Sequence, residues 1–125
     1  MSKSYSPKPT ESELEILQVL WQKGIATVRE VHEALSDLKD AGYTTTLKLM
    51  QIMHEKGLVT RDDSSKTHIY KANVSKDKTQ QHIVGKMVNS LFEGSASQLM
   101  MQAFGNKKPS KKEIEEIQQL LDQLK

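Results

Sequence analysis

The reading of this chain turns on residues 57–72, Gly57-Leu58-Val59-Thr60-Arg61-Asp62-Asp63-Ser64-Ser65-Lys66-Thr67-His68-Ile69-Tyr70-Lys71-Ala72. Leu58–Arg61 and Thr67–Ala72 are β-type runs, rich in β-branched residues. The polar stretch Asp62–Lys66 between them has the length and composition of a hairpin loop. Before Gly57 and again after Ser75, apolar residues recur at helical rather than strand spacing. The segment is therefore a two-stranded ribbon set between helices.

Working back from the ribbon, Leu47, Met50 and Met53 mark the inner face of a helix. It opens at Tyr43, Thr44 or Thr45 and closes at Glu55-Lys56-Gly57. Ala41-Gly42 reads as a turn. Val28, Val31, Leu35 and Leu38 share one face of a second helix over roughly 28–38. Thr27 with Glu30 forms a capping box there, in which a hydroxyl and a carboxylate satisfy two orphan helix amides. Thr10 with Glu13 repeats the device ahead of a helix carrying Leu14, Leu17, Leu20 and Trp21 to about Lys23. Gly24 then supplies the positive φ that a helix end favours. Ile25-Ala26 has room to pair as a one- or two-residue third strand. Residues 1–9, polar with prolines at 7 and 9, read as a flexible arm. Three short helices followed by a ribbon is the order of a winged helix-turn-helix, spanning residues 10–73.

Beyond it, Ile83, Val84, Met87, Val88, Leu91 and Phe92 make a broad apolar stripe that Gly94 interrupts. A shorter helix carries Leu99, Met100, Ala103 and Phe104, followed by a loop at Gly105–Pro109. Ser110 with Glu113 reads as a third capping box. Ile114, Ile117, Leu121 and Leu124 then fall at a/d spacing. Two heptads are too few for an autonomous coiled coil, so these helices need something to pack on. Burying one Leu-sized side chain is worth roughly 1.5–3 kcal/mol, which favours a two-fold homodimer through residues 74–125. The alternative is a monomer in which these helices fold back on the winged domain. The fold class is thus mainly α with a small β-hairpin: a winged helix-turn-helix followed by a C-terminal helical dimerisation region.

Composition narrows the function classes. In 125 residues, apolar types make up 36% and aromatic ones 5%, a thin core. There is no apolar run near the length of a membrane span and no hydrophobic stretch behind the N-terminus, so a cytoplasmic location is expected. The absence of cysteine excludes a disulfide framework, a thiolate metal site and a Cys nucleophile. His32, His54, His68 and His82 form no pair at i+3 or i+4, and no Gly-rich phosphate loop or nucleophile elbow occurs. The expectation is a protein that is not an enzyme and takes no metal and no small-molecule cofactor.

Eighteen Lys and Arg against sixteen Asp and Glu leave a net charge of +2, too little to argue for nucleic acid in bulk. The distribution is more telling. Acids outnumber bases from Thr10 to Asp40. From Tyr43 to Ala72, Lys48, Lys56, Arg61, Lys66 and Lys71 outnumber Glu55, Asp62 and Asp63. In a winged helix the third helix enters the major groove and the wing reaches neighbouring backbone. With Leu47, Met50 and Met53 inward, Tyr43, Thr44, Thr45, Lys48 and Gln51 are the candidate DNA-contacting residues, and Ile52 faces the same way. Hydroxyls at a helix start bond phosphate oxygens beside the free amides. Lys48 suits phosphate or guanine, Gln51 reads adenine in two bonds, and Ile52 touches a thymine methyl. Arg61 and Lys66 flank the wing tip as expected backbone contacts, while Asp62 and Asp63 oppose deep insertion. The other reading is a winged-helix module whose third helix meets a protein.

The order of parts resembles the penicillinase-repressor family (BlaI/MecI type) of bacterial winged-helix regulators. The matching words are Pro9-Thr10-Glu11-Ser12-Glu13-Leu14-Glu15-Ile16-Leu17, Trp21, Tyr43-Thr44-Thr45-Thr46-Leu47, Glu55-Lys56-Gly57-Leu58-Val59, Tyr70 and Glu113-Ile114-Glu115-Glu116-Ile117. The resemblance implies a homodimeric repressor of a palindromic operator, in double-stranded DNA, dimerised through its C-terminal helices. It also implies relief of repression through cleavage of that region, triggered by a membrane-bound sensor metalloprotease. Counted back from Glu113-Ile114, the family's Asn-Phe cleavage bond falls here on Gln102-Ala103. Members often carry an arginine late in the third helix, where this chain has Gln51-Ile52.

Overall fold

A computed structural model describes residues 8–36 and 42–125. Helix α1 (Glu11–Lys23) starts on the anticipated capping box: the Glu13 amide donates to Thr10 Oγ1 at 3.2 Å and the Thr10 amide to Glu13 Oε1 at 2.9 Å. It stops at Gly24, whose φ of 89° a side chain would resist. Strand β1 (Ile25–Ala26) follows, then α2 (Val28–Ser36), opened by the Thr27–Glu30 box. The expected continuation of α2 to residue 38 and the Ala41 half of the turn lie outside the described residues, as do residues 1–7 of the expected arm. Pro9, at the end of that arm, is buried.

Helix α3 (Tyr43–Lys56) starts from Gly42 with no side-chain cap, so none of its threonines serves as the cap. At its other end Gly57, with φ 86°, closes a Schellman turn. The Leu58 amide bonds Met53 O at 2.9 Å and the Gly57 amide bonds His54 O at 3.2 Å. Strands β2 (Val59–Asp62) and β3 (Ile69–Ala72) pair antiparallel, and β1 pairs with the far side of β3, giving the order β1-β3-β2. The short third strand is therefore real. The hairpin loop is displaced from its expected place. Asp62 stays paired, opposite Ile69, while Thr67 and His68 join the loop. An Asx turn accounts for the shift: Asp62 Oδ1 accepts the Ser64 amide at 2.9 Å, bending the chain from a residue that still belongs to the ladder.

The core lies where α1, α2 and α3 meet the sheet, with Ile16, Leu17, Val31, Met50, Met53 and Tyr70 fully enclosed. Glu13 is enclosed as well, at 2% exposure. Both its oxygens accept from Lys56 Nζ, at 2.9 and 3.0 Å, so the buried charge is met. Two bonds secure the end of the sheet. Trp21 Nε1 donates to Val74 O at 2.9 Å, and Asn73 Nδ2 donates to Gly57 O at 3.0 Å.

The chain divides into two compact units, one ending at Thr79 and one beginning at Gln80. The second contains most of α4 (Lys76–Leu91), with α5 (Ala96–Asn106) and α6 (Lys111–Gln123). Ser75 caps α4 and Ser95 caps α5. For α6 only the hydroxyl half of the expected box forms among the described residues, Ser110 Oγ accepting the Glu113 amide at 3.1 Å. Helix α5 continues through Gly105 to Asn106, into the segment expected to be loop, and extended backbone begins at Lys107. After α4 the chain turns through Glu93 (φ 53°) and Gly94 (φ 86°), and the Gly94 amide bonds Val88 O at 2.8 Å. No residue of α4, α5 or α6 is buried.

Candidate nucleic-acid interface

Helix α3 presents two unlike faces. Met50 and Met53 fill the core, with Leu47 half-buried beside them; Tyr43, Thr44, Thr45, Lys48 and Gln51 are exposed on the other side. Helical geometry splits the threonine run. Thr46 turns inward, 3% exposed, with Oγ1 3.1 Å from His32 Nδ1 of α2. Ile52 is half-buried rather than fully outward. Because Gly42 offers no side chain, no side-chain oxygen at the N-cap position closes the first turn of α3.

Tyr43 is positioned by α2. The Arg29 guanidinium lies 5.2 Å from its ring centroid, and the His32 ring meets its edge at 5.7 Å and 83°. Sequence reading missed Arg29 and His32. The available signal was their place on α2 beside Val28 and Val31, off the apolar stripe. A cleft of about 440 Å³ opens between the start of α2, the outer face of α3 and the wing. Thr27, Arg29, Tyr43, Gln51, Lys66 and His68 line it over a floor of Val28, Leu47 and Tyr70, and among the described residues no carboxylate lines it.

The wing cations differ in their freedom. Arg61 Nε lies 2.7 Å from Asp63 Oδ1, off the line its N–H needs for a hydrogen bond, while Nη2 donates to Oδ2 at 3.3 Å. Hydrogen bonding to Tyr70, then to Asp63, holds the guanidinium pKa above its ordinary value. His68 Nδ1 approaches the same Asp63 at 3.6 Å. The amide and hydroxyl of Ser64 hold the Asp62 carboxyl below its ordinary range. Lys56 is matched by Glu13. The positive excess counted from residues 43 to 72 is thus partly offset by Glu13 of α1, which lies outside that segment. Lys48, Lys66 and Lys71 form no ion pair among the described residues and are exposed.

In the second unit the side chains expected at a dimer interface lie at the surface. Leu91 is 68% exposed and Leu124 74%, with Val84, Met87, Phe104, Ile114 and Leu121 also exposed. Ile83, Val88, Phe92, Leu99, Met100 and Ile117 are half-covered. Gln102-Ala103 lies within α5, both residues exposed. Among the described residues there is no cluster of three or more metal-ligating side chains, and no helix is long and apolar enough to cross a membrane.

A sequence profile described as the penicillinase repressor family matches residues 9–123. The transcriptional regulator BlaI of Mycobacterium tuberculosis is 33% identical over 86 residues, covering 68% of this chain and 60% of that protein. The methicillin resistance regulatory protein MecI of Staphylococcus aureus is 22% identical over 113 residues, covering 90% and 92%. The solution structure of the Bacillus licheniformis BlaI monomeric form, in complex with the blaP half-operator, superposes with a TM-score of 0.51. It is 20% identical and covers 58% of this chain and 89% of that one, a likeness of fold.

Proposed function

The chain belongs to the penicillinase repressor family, and from that premise we propose that it represses transcription in the cytoplasm by binding operator DNA. Helix α3 enters the major groove, and the wing lies on the adjoining backbone. One observation carries the reading: the helix whose inner face builds the core shows an outer face of Tyr43, Thr44, Thr45, Lys48 and Gln51, beside a cleft that Arg29, Lys66 and His68 line. Lys48 neutralises phosphate or reads guanine, and Gln51 reads adenine.

The operator is palindromic because the protein acts as a homodimer through α4–α6. The exposed apolar faces of those helices support this, since each covered Leu-sized side chain returns roughly 1.5–3 kcal/mol. Release from DNA follows cleavage at Gln102-Ala103 by a membrane sensor metalloprotease. Both residues lie in α5, so that turn must unwind before a protease can hold it extended.

The test is duplex binding by anisotropy over a range of salt concentrations. Lys48→Ala should weaken binding to the chain's own promoter severalfold and reduce the slope of log K against log salt by about one per bound copy. Wild-type protein indifferent to the duplex at low salt would instead leave the protein-binding module.

A further inference from the structure

Arg29 stands on the first turn of α2, exposed, with its guanidinium stacked on Tyr43. Lys66 and His68 approach from the wing loop, and the hydroxyls of Thr27 and Thr67 and the amide of Gln51 complete the polar lining of the cleft. On a chain with nearly as many acids as bases, this concavity gathers three side chains able to carry positive charge, and no carboxylate among the described residues. Glu30, one residue from Arg29, and Asp63, on the wing, are both occupied. Glu30 accepts the Thr27 amide at 2.9 Å, and Asp63 holds Arg61 while approaching His68.

We propose that the cleft between α2, α3 and the wing is the seat of one DNA phosphodiester, with Arg29 as its principal ligand and Lys66 and His68 opposite. The proposal rests on the operator-binding reading and adds a residue that reading does not use. Stacking on Tyr43 limits the guanidinium's freedom before DNA arrives, so less entropy is lost when its fork meets phosphate oxygens. Tyr43 gains a role too: it orients a cation, and its own contact with DNA becomes secondary. A strand threaded here is gripped from both sides, by α2 and by the wing, which fixes how α3 sits in the groove. A phosphate contact carries no base information, so the effect is the same on any sequence.

The experiment compares full-length wild type, Arg29→Ala, Arg29→Lys and Lys48→Ala on two labelled duplexes, one of mixed sequence and one from the chain's own promoter. Arg29→Ala should weaken both by a similar factor, about three- to tenfold, and reduce the salt slope by about one per bound copy. Arg29→Lys should recover the slope. Thermal melts of the variants should match wild type, because Arg29 is exposed. An unchanged slope in Arg29→Ala, or one that lysine does not recover, makes Arg29 a mere brace for Tyr43 and overturns the site. If Lys48→Ala alters the slope while Arg29→Ala does not, the operator reading stands and this inference falls. If wild type binds neither duplex, both fall. Titration of the free protein with inorganic phosphate should give no saturable movement of the His68 ring resonances. Saturable movement that Arg29→Ala removes would make the cleft a free-anion site and overturn its assignment to DNA.

Discussion

Two regions of the molecule answer the same problem, covering apolar side chains, in opposite ways. Up to Thr79, α1, α2, α3 and the sheet enclose Ile16, Leu17, Val31, Met50, Met53 and Tyr70 almost completely. From Gln80 on, three helices carry comparable apolar stripes and bury none of them. Local design is sound in both, since α1, α2, α5 and α6 each begin on a Thr or Ser cap. The difference is tertiary. A cap and an apolar stripe suffice to specify a helix, but only a facing surface gives it a core, and helix stability in proteins comes mainly from that packing. The first unit holds its facing surfaces within one chain, and the second presents its own outward.

The contrast is sharpened most by Leu91→Asp. A charge on the exposed stripe of α4 should make the protein sediment as a monomer and cost promoter affinity on the order of a hundredfold or more, the size of the avidity lost. The melt of the first unit should stay where it is. A variant that still sediments as a dimer would break the comparison. Leu17→Ala is the mirror experiment. A cavity in the enclosed core should lower unfolding stability by about 3 kcal/mol, independent of protein concentration. Lys56→Ala should come next, at about 2 kcal/mol in a denaturant titration. It strands the enclosed Glu13 carboxylate, but the lysine is itself a third exposed, which tempers the loss relative to a fully interior pair. The smallest effect expected is a gain. Glu93→Gly removes a side chain from left-handed backbone, and should stabilise the assembled second unit by about 0.5–1 kcal/mol in its melting transition.

Much of the fold was legible because its signals are local. Thr10 and Glu13, or Thr27 and Glu30, are three residues apart and meet within one helical turn. The change of period after Gly57 announced the ribbon, and Ile25-Ala26 lay close enough to pair with it. The hairpin was read a little early because the bond from the Ser64 amide to Asp62, which decides where the turn begins, competes with a ladder that no sequence period resolves. The exposed face of α3 was legible, and the contacts around it less so. Spacing along one helix showed which side Lys48 and Gln51 share. It could not show that Arg29 would reach Tyr43, or that Lys56 would turn back to Glu13, because both contacts depend on how separate elements pack. Charge counting failed for the same reason, treating Lys56 and Arg61 as available when the fold had already matched them.

The ion pair on the wing has a consequence for speed. Asp63 occupies the oxygen-binding edge of Arg61 much as a passing phosphate would, so on the operator-binding proposal random sequence would have to displace a carboxylate before gaining that contact. A regulator that grips every stretch of chromosome dwells on each and finds its target slowly; one whose cation is already answered lets go sooner. If the wing lies on DNA as proposed, the carboxylate at its tip would favour brief visits to the wrong address, and with them a quicker search.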